Sequence, residues 1–276
     1  MRGIERLTPY ITSALSLIPI AAIIALTSLI TYHGLGGLSW RFISSSILRG
    51  GVYEAVIGTL LLFSGATAIA APLGVLAAVY LVEYAPRSWL TELVERAVEN
   101  LAGVPSILYG LFGFTLFSKL LGFGISLLSG WLTLACMMLP IIVRSSQEAL
   151  RMVPKSIREA SLALGASKWT TITRCVLPAA APGIATGVIL GVCRVAGETA
   201  AILLTSCFYT MRGLPRSPLD PVLSLTYYLY ILIVAKAGDT PLEVIFALSL
   251  LLFLLVVALN STALILRFRY RGVKRW

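Results

Sequence analysis

The chain has 276 residues, of which 58% are hydrophobic and only 12% charged, with a mean hydropathy of +0.92. Soluble domains carry roughly 25% charged residues, so this composition excludes an ordinary soluble protein; at about 20 apolar residues per crossing the length holds six or seven transmembrane helices and no sizeable soluble domain. The net charge of +10 would suit a nucleic-acid binder, but the basic residues sit between and after apolar runs, where membrane topology accounts for them.

Six spans are expected in an all-α integral membrane protein, with 1–50 as an N-terminal segment holding the first span and an outer loop, and 51–276 as the main transmembrane domain. Span one runs from about Tyr10 to Thr31, flanked by Tyr10 and Tyr32 as interfacial anchors. Arg2 and Arg6 before it mimic a signal peptide, but the run exceeds 20 residues and lacks a small-x-small cleavage site, so it reads as a retained helix. His33 reads as a loop histidine at the interface. Span two, about Ala55–Val82, contains Pro72, where a kink is expected. Glu83 to Glu99 reads as a short charged connection. Span three, about Leu101–Leu121, is broken or kinked by Pro105, Gly122 to Gly124 form a turn, and span four, about Ile125–Val143, ends at Arg144. Span five runs from Pro182, suited to a first helical position, to Thr205. In it Gly183, Gly187 and Gly191 recur every four residues and admit a close neighbour. Val222–Ala235 is too short to cross, so it lies at the outer interface or dips partly into it. Span six is about Leu242–Leu266.

With both termini on the cytoplasmic side, Lys and Arg number two at the start, two in the second loop, six in the central loop and five in the tail, against six outside, with Arg194 in the membrane. That bias satisfies the positive-inside rule. The tail arginines, with Lys274 and Arg275, are therefore topology anchors. Four scattered cysteines, Cys136, Cys175, Cys193 and Cys207, show neither disulfide nor metal spacing, and a lone histidine cannot build a catalytic triad. No metal site and no catalytic residue is expected.

Two stretches carry the chemistry. The first is the charged, punctuated loop from about 145 to 178. Ser156-Ile157-Arg158-Glu159 reads as a capping box, Ile157, Ala160, Ser161 and Leu164 give the helix after it a greasy face, and Gly165 is placed as its C-cap. Ser167 can cap a second short helix that stops before Pro178. The second is the charge in span five. Arg194 and Glu198 fall roughly 18 to 24 Å along a helix crossing a core of about 30 Å. An ionised group at that depth costs on the order of 2.5–3.5 kcal/mol, so it faces a cavity, a pathway or a partner. A guanidinium there suits an oxyanion held by two parallel hydrogen bonds. A carboxylate beside it can accept the OH of hydrogen phosphate, which sulfate lacks. Two other readings stay open: a salt bridge that only cancels charge, and a carboxylate that holds Arg194 until substrate displaces it.

Glu159-Ala160-Ser161, Gly165, Leu177 and Pro178 resemble the EAA loop of ABC importer permeases, with Ser161 where a second Ala is common and Cys175 where Ile is common. Arg194-Val195-Ala196-Gly197-Glu198-Thr199-Ala200 resembles the R-x-x-G-E-T-A run of phosphate ABC importer permeases. Gly58-Thr59-Leu60, Pro72-Leu73-Gly74, Tyr80-Leu81-Val82-Glu83-Tyr84 and Val104-Pro105-Ser106-Ile107-Leu108-Tyr109-Gly110 extend the likeness over residue 50 to the end. The Gly197-Glu198-Thr199-Ala200 run is more similar to the A-type than to the C-type subunit, although Ala201 stands where Pro is frequent. The resemblance implies a type I ABC importer permease fold of six helices in the cell membrane, with no enzymatic activity of its own. It assigns Arg194 and Glu198, with Thr199 beside them, to phosphate passage. Glu159, Ala160, Ser161, Gly165, Leu177 and Pro178 fall to coupling with the ATPase. The implied partners are a paralogous C-type permease, two ATP-binding cassette subunits that hold ATP and Mg, an extracytoplasmic phosphate-binding protein and the bilayer, with no nucleic acid. No Walker-type G-x-x-x-x-G-K-[ST] occurs in the chain, so the motor lies elsewhere. Another oxyanion (molybdate, tungstate or sulfate) and a gradient-driven anion carrier are the alternatives.

Overall fold

The computed structural model describes residues 2–209, 213–234 and 240–271. Within them the chain is helical, and the strand-like geometry found is one parallel bridge, Cys207 to Val222. The helices are α1 (Arg2–Gly34), the short α2 (Trp40–Ser44), α3 (Tyr53–Val79), α4 (Trp89–Ala102), α5 (Ser106–Gly113), α6 (Leu127–Arg151), α7 (Lys155–Ala163), α8 (Lys168–Thr171), α9 (Leu177–Val195), α10 (Ala200–Thr205), α11 (Leu225–Val234) and α12 (Leu242–Arg271). Three π turns extend them: Tyr80–Tyr84 continues α3, Phe114–Leu120 continues α5, and Ile172–Val176 fuses α8 to α9.

Among the described residues, five helical stretches are long and apolar enough to cross a membrane: Leu15–Gly34, Tyr53–Tyr84, Leu127–Arg151, Lys168–Val195 and Leu242–Thr262. A bent pair, Trp89–Ala102 and Ser106–Leu120, which meet at 109°, makes a sixth if it counts as one span. Span three is thus shorter than expected. Eight α-helical and seven π-turn residues reach about 22 Å at 1.5 Å per residue, short of a core of about 30 Å. Pro105 caps α5 with φ −59° and ψ 139°, an extended setting that cannot continue α4.

Several sequence expectations are corrected here. Residues 83–99 are not a plain connection, since α4 occupies most of them. Leu90, Leu93, Val94, Ala97 and Leu101 fall at helical spacing on one side, while Glu95 and Glu99 on the other reach α6. The helix capped by Ser167 does not stop before Pro178. It runs on through α9, because the π turn directly ahead widens the backbone where the proline ring would press on the preceding turn. Pro182 is accordingly inside a helix rather than at its start. His33 belongs to the last turn of α1, between Tyr32 and the Phe246 ring at 5.0 Å. Lys274 and Arg275 of the basic tail lie outside the described residues.

α3, α6 and α9 pack around Leu62, Leu134, Met138, Ile142 and Val195. In lipid, close packing rather than exclusion of water selects such a core. Gly183, Gly187 and Gly191 face Ala149, Ser145 and Ile142 of α6, so the four-residue glycine repeat does admit a neighbouring helix. α1 lies outside that core and packs on α12. The segment 222–226 enters the bundle: Val222, Leu223, Ser224 and Leu225 are buried, and the Leu225 amide donates to Thr59 Oγ1 at 2.8 Å. Gly58 permits this crossing, since a Cβ there would lie 2.0 Å from the Leu223 carbonyl oxygen. Of this apolar piece, residues 222–226 are the part that packs inside the bundle.

Candidate functional site

Span five is discontinuous at the residues that carry its charge. α9 ends at Val195, four residues intervene, and α10 begins at Ala200. Glu198 causes much of this break. Its Oε1 accepts from the amides of Thr199 (3.1 Å) and Ala201 (3.2 Å), so the carboxylate caps the first turn of α10. Its carbonyl oxygen accepts from Thr226 Oγ1 at 2.9 Å, which pins the break to the inward segment. Irregular backbone at membrane depth is tolerated only where protein or a cavity surrounds it, and Thr226, Ser224 and Thr59 provide that surround.

Arg194 and Glu198 are therefore not stacked one turn apart on a helix, and no ion pair joins them among the described residues. Each charge instead sits at the helix end that favours it, Arg194 in the last turn of α9 and Glu198 at the start of α10. A helix dipole contributes about 0.3–1 kcal/mol at each such end. Neither charge needs the other. The Arg194 side chain is exposed, within electrostatic range of Tyr109 of α5, whose hydroxyl donates to the Leu101 carbonyl. Thr199 is half-buried at the α10 cap. What the sequence reading missed is the buried polar layer behind Glu198. Cys207 Sγ lies 3.5 Å from Ser224 Oγ, Ser224 Oγ lies 3.2 Å from Thr226 Oγ1, and Thr59 closes the layer from α3. The Gly58-Thr59 pair was visible in the sequence, but its partner lies 166 positions away.

The second group of predicted site residues is separate. Leu177 and Arg194 share one helix but stand roughly 26 Å apart at 1.5 Å per residue. α7 starts at Lys155 with Pro154 as its N-cap, so Ser156 is not the cap and the expected capping box does not form. The end of α7 is as expected. Gly165 has φ +81°, its amide donates to Leu162 O and the Ala166 amide to Ser161 O, the paired bonds of a Schellman turn. Ser167 caps α8 through the Thr170 amide at 3.2 Å. Glu159 and Ala160 are exposed, Ser161 bonds Thr171 Oγ1 at 2.9 Å, and Leu177 is half-buried beside the exposed Pro178. Ser161 and Cys175, the two departures from the usual loop pattern, touch: the Cys175 thiol points at Ser161 Oγ across 3.8 Å. Leu164, Met152 and Trp169 expose apolar side chains around this turn.

Among the described residues no three His, Cys, Asp or Glu side chains gather as a metal site requires, and all four cysteines are unbridged. The observed class is thus a multi-pass helical membrane protein that shows, among the described residues, a bent helix pair at Pro105, a break after Val195 and a helix-turn-helix loop. Residues 70–272 match the family described as binding-protein-dependent transport system inner membrane component, and the chain belongs to that family. It is 45% identical over 175 residues to "Phosphate transport system permease protein PstA 1" of Mycobacterium tuberculosis (strain CDC 1551 / Oshkosh), covering 63% of this chain and 57% of that one. It is 39% identical over 196 residues to the "Probable ABC transporter permease protein YqgI" of Bacillus subtilis (strain 168), covering 70% and 67%. The chain thus spans little more than half the length of the mycobacterial relative. Among solved structures, a bacterial alginate ABC transporter in complex with an alginate pentasaccharide-bound periplasmic protein superposes with a TM-score of 0.66 at 14% identity. The match covers 95% of this chain and 94% of that one. The fold is that of type I ABC importer permeases, in a multi-pass protein of the cell membrane. Membership of this family sets aside the gradient-driven carrier.

Proposed function

We propose that the chain is a permease subunit of an ATP-driven inorganic phosphate importer, and that Arg194, Glu198 and Thr199 line the phosphate path. One observation carries this reading: Glu198 spends one oxygen on the α10 amides and leaves Arg194 as an exposed cation with no carboxylate within ion-pair reach among the described residues, at a break in a membrane span. A desolvated phosphate can take the Arg194 guanidinium through two charge-assisted bonds. Glu198 Oε2, which accepts from no donor among the described residues, can accept the remaining P–OH. The mycobacterial relative's name supports phosphate as the cargo.

In this reading the exposed turn around Glu159, Ala160, Ser161 and Gly165 docks on an ATP-binding cassette subunit, with Leu177 and Pro178 passing its movement into α9. Two such subunits hydrolyse ATP with Mg, a paralogous C-type permease completes the pathway, and an extracytoplasmic phosphate-binding protein delivers cargo. The chain holds no cofactor, and both its termini face the cytoplasm. The decisive experiment compares native and Arg194→Ala importers in membranes for assembly, ATP hydrolysis and phosphate uptake. Uptake should collapse while assembly and hydrolysis survive; unimpaired uptake would reduce Arg194 to a structural charge.

A further inference from the structure

The helix α7 is joined covalently to α6 through residues 152–154 and to α8 through residues 164–167, yet a charged side-chain attachment runs to a third element. Arg158 Nη2 donates to Glu83 Oε1 at 2.6 Å and Arg158 Nε to the same oxygen at 3.1 Å. The remaining donors of the fork reach the end of α6 and the linker after it, Nη2 to the Leu150 carbonyl at 2.9 Å and Nη1 to the Val153 carbonyl at 2.6 Å. One guanidinium thus ties three helix ends together. Its surroundings set it apart from the nearby bridges. The Arg158 and Glu83 side chains are 20% and 9% exposed, against 43% and 49% for Arg144 and Glu99. An exposed pair adds little, whereas a shielded forked one fixes geometry. Around it Val79, Leu150, Val153, Ile172 and Val176 form a separate apolar cluster.

Glu83 lies in the π turn that prolongs α3, and α3 runs from there to Thr59, roughly 36 Å at 1.5 Å per residue. At that far end Thr59 receives the Leu225 amide, and the next residue, Thr226, holds the Glu198 carbonyl. A continuous helix therefore has the α7 attachment at one end and the span-five break at the other.

We propose that Arg158 is a positioning residue that fastens α7 to α3 through Glu83, so that α3 carries the displacement of α7 to the Leu225–Thr226–Glu198 junction. This rests on the reading of the chain as an ATP-driven importer permease. With the bridge intact, α7 and α3 move as one body. Without it, α7 rotates about Pro154 and the left-handed Gly165 while α3 stays behind. Spatial intermediacy alone does not establish such a route, so the test must read rigid coupling as well as output.

The experiment uses the complete importer in vesicles, with Glu83→Gln as the variant, because it keeps the shape of the side chain and the Arg158 bonds to α6. Glu99→Gln, which loosens an exposed bridge, is the control. The first readout is phosphate taken up per ATP hydrolysed. The second is the distance between spin labels on introduced cysteines at Leu76 of α3 and Ser156 of α7, nucleotide-free and ATP-trapped, with the four native cysteines replaced by alanine. The native and Glu99→Gln complexes should keep one distance in both states. Glu83→Gln should shift that distance on trapping and lower uptake per ATP at least tenfold. If either readout stays at its native value in Glu83→Gln, the proposal fails; equal losses of uptake and hydrolysis count as such a failure. A native importer that takes up no phosphate would overturn the cargo reading instead, and the label distance alone then decides the attachment.

Discussion

Arg194 and Glu198 are four positions apart and form no ion pair, whereas Arg158 and Glu83 are 75 positions apart and meet at 2.6 Å. Pairing follows from what else competes for each charge. Glu198 has two backbone amides of its own α10 within reach, which satisfy it locally and hold it away from Arg194. Glu83 projects from a helix end with no amides to cap, so its acceptors remain free for a fork that also closes the Leu150 carbonyl of α6 and the Val153 carbonyl just beyond it. The first region keeps a cation available to solvent or cargo, and the second consumes one to hold elements in register.

The sharpest way to break this contrast is Arg194→Ala. Uptake should fall on the order of a hundredfold, which corresponds to the loss of about 3 kcal/mol of charged hydrogen bonding, with little change in thermal stability. Arg158→Met should behave in the opposite sense, because it strands a shielded carboxylate. A loss of about 2–3 kcal/mol is expected, seen as a drop of several degrees in the melting temperature of the purified complex. Replacing Gly165 with Val forces a β-branched residue to φ +81° at a cost of about 1–2 kcal/mol, read as weaker recovery of the ATP-binding partner in copurification. Arg144→Ala removes two bridges, to Glu99 and Glu148, that are about half exposed, and its melting temperature should stay within the equivalent of about 0.5 kcal/mol of native. A large effect there would show that exposure does not rank these bridges.

The existence of the long apolar helices and the Gly165 turn were legible in the sequence, because hydropathy and a left-handed glycine are local signals. The broken span was not. Only Gly197 hints at it, and the break is sustained by Thr226, 28 residues from Glu198. α4 was hidden by its charges, whose partners Arg144 and Arg151 stand on another helix. Ser156 looked like a cap by its spacing to Glu159, but the extended backbone of Pro154, at ψ 142°, already sets the helix to begin at the residue after it. Of the candidate site residues, the sequence supplied the identities of Arg194 and Glu198 but not their relation. It offered no sign that Thr59, Ser224 and Thr226 stand behind them.

The crossing of residues 222–226 over Gly58 also orders biosynthesis. Thr59 is translated and inserted long before Leu225 emerges, so its contact with the Leu225 amide, across 166 positions of chain, is made only when most of the polypeptide is already in the membrane. Until then the Glu198 carbonyl has no Thr226 hydroxyl to hold it, and the polar layer faces an unfinished bundle. Closure of long-range contacts is the slow step in assembly, which makes this junction a late checkpoint. A chain stalled before residue 222 would hold α3, α6 and α9 and still lack α12 and the floor of its proposed anion path.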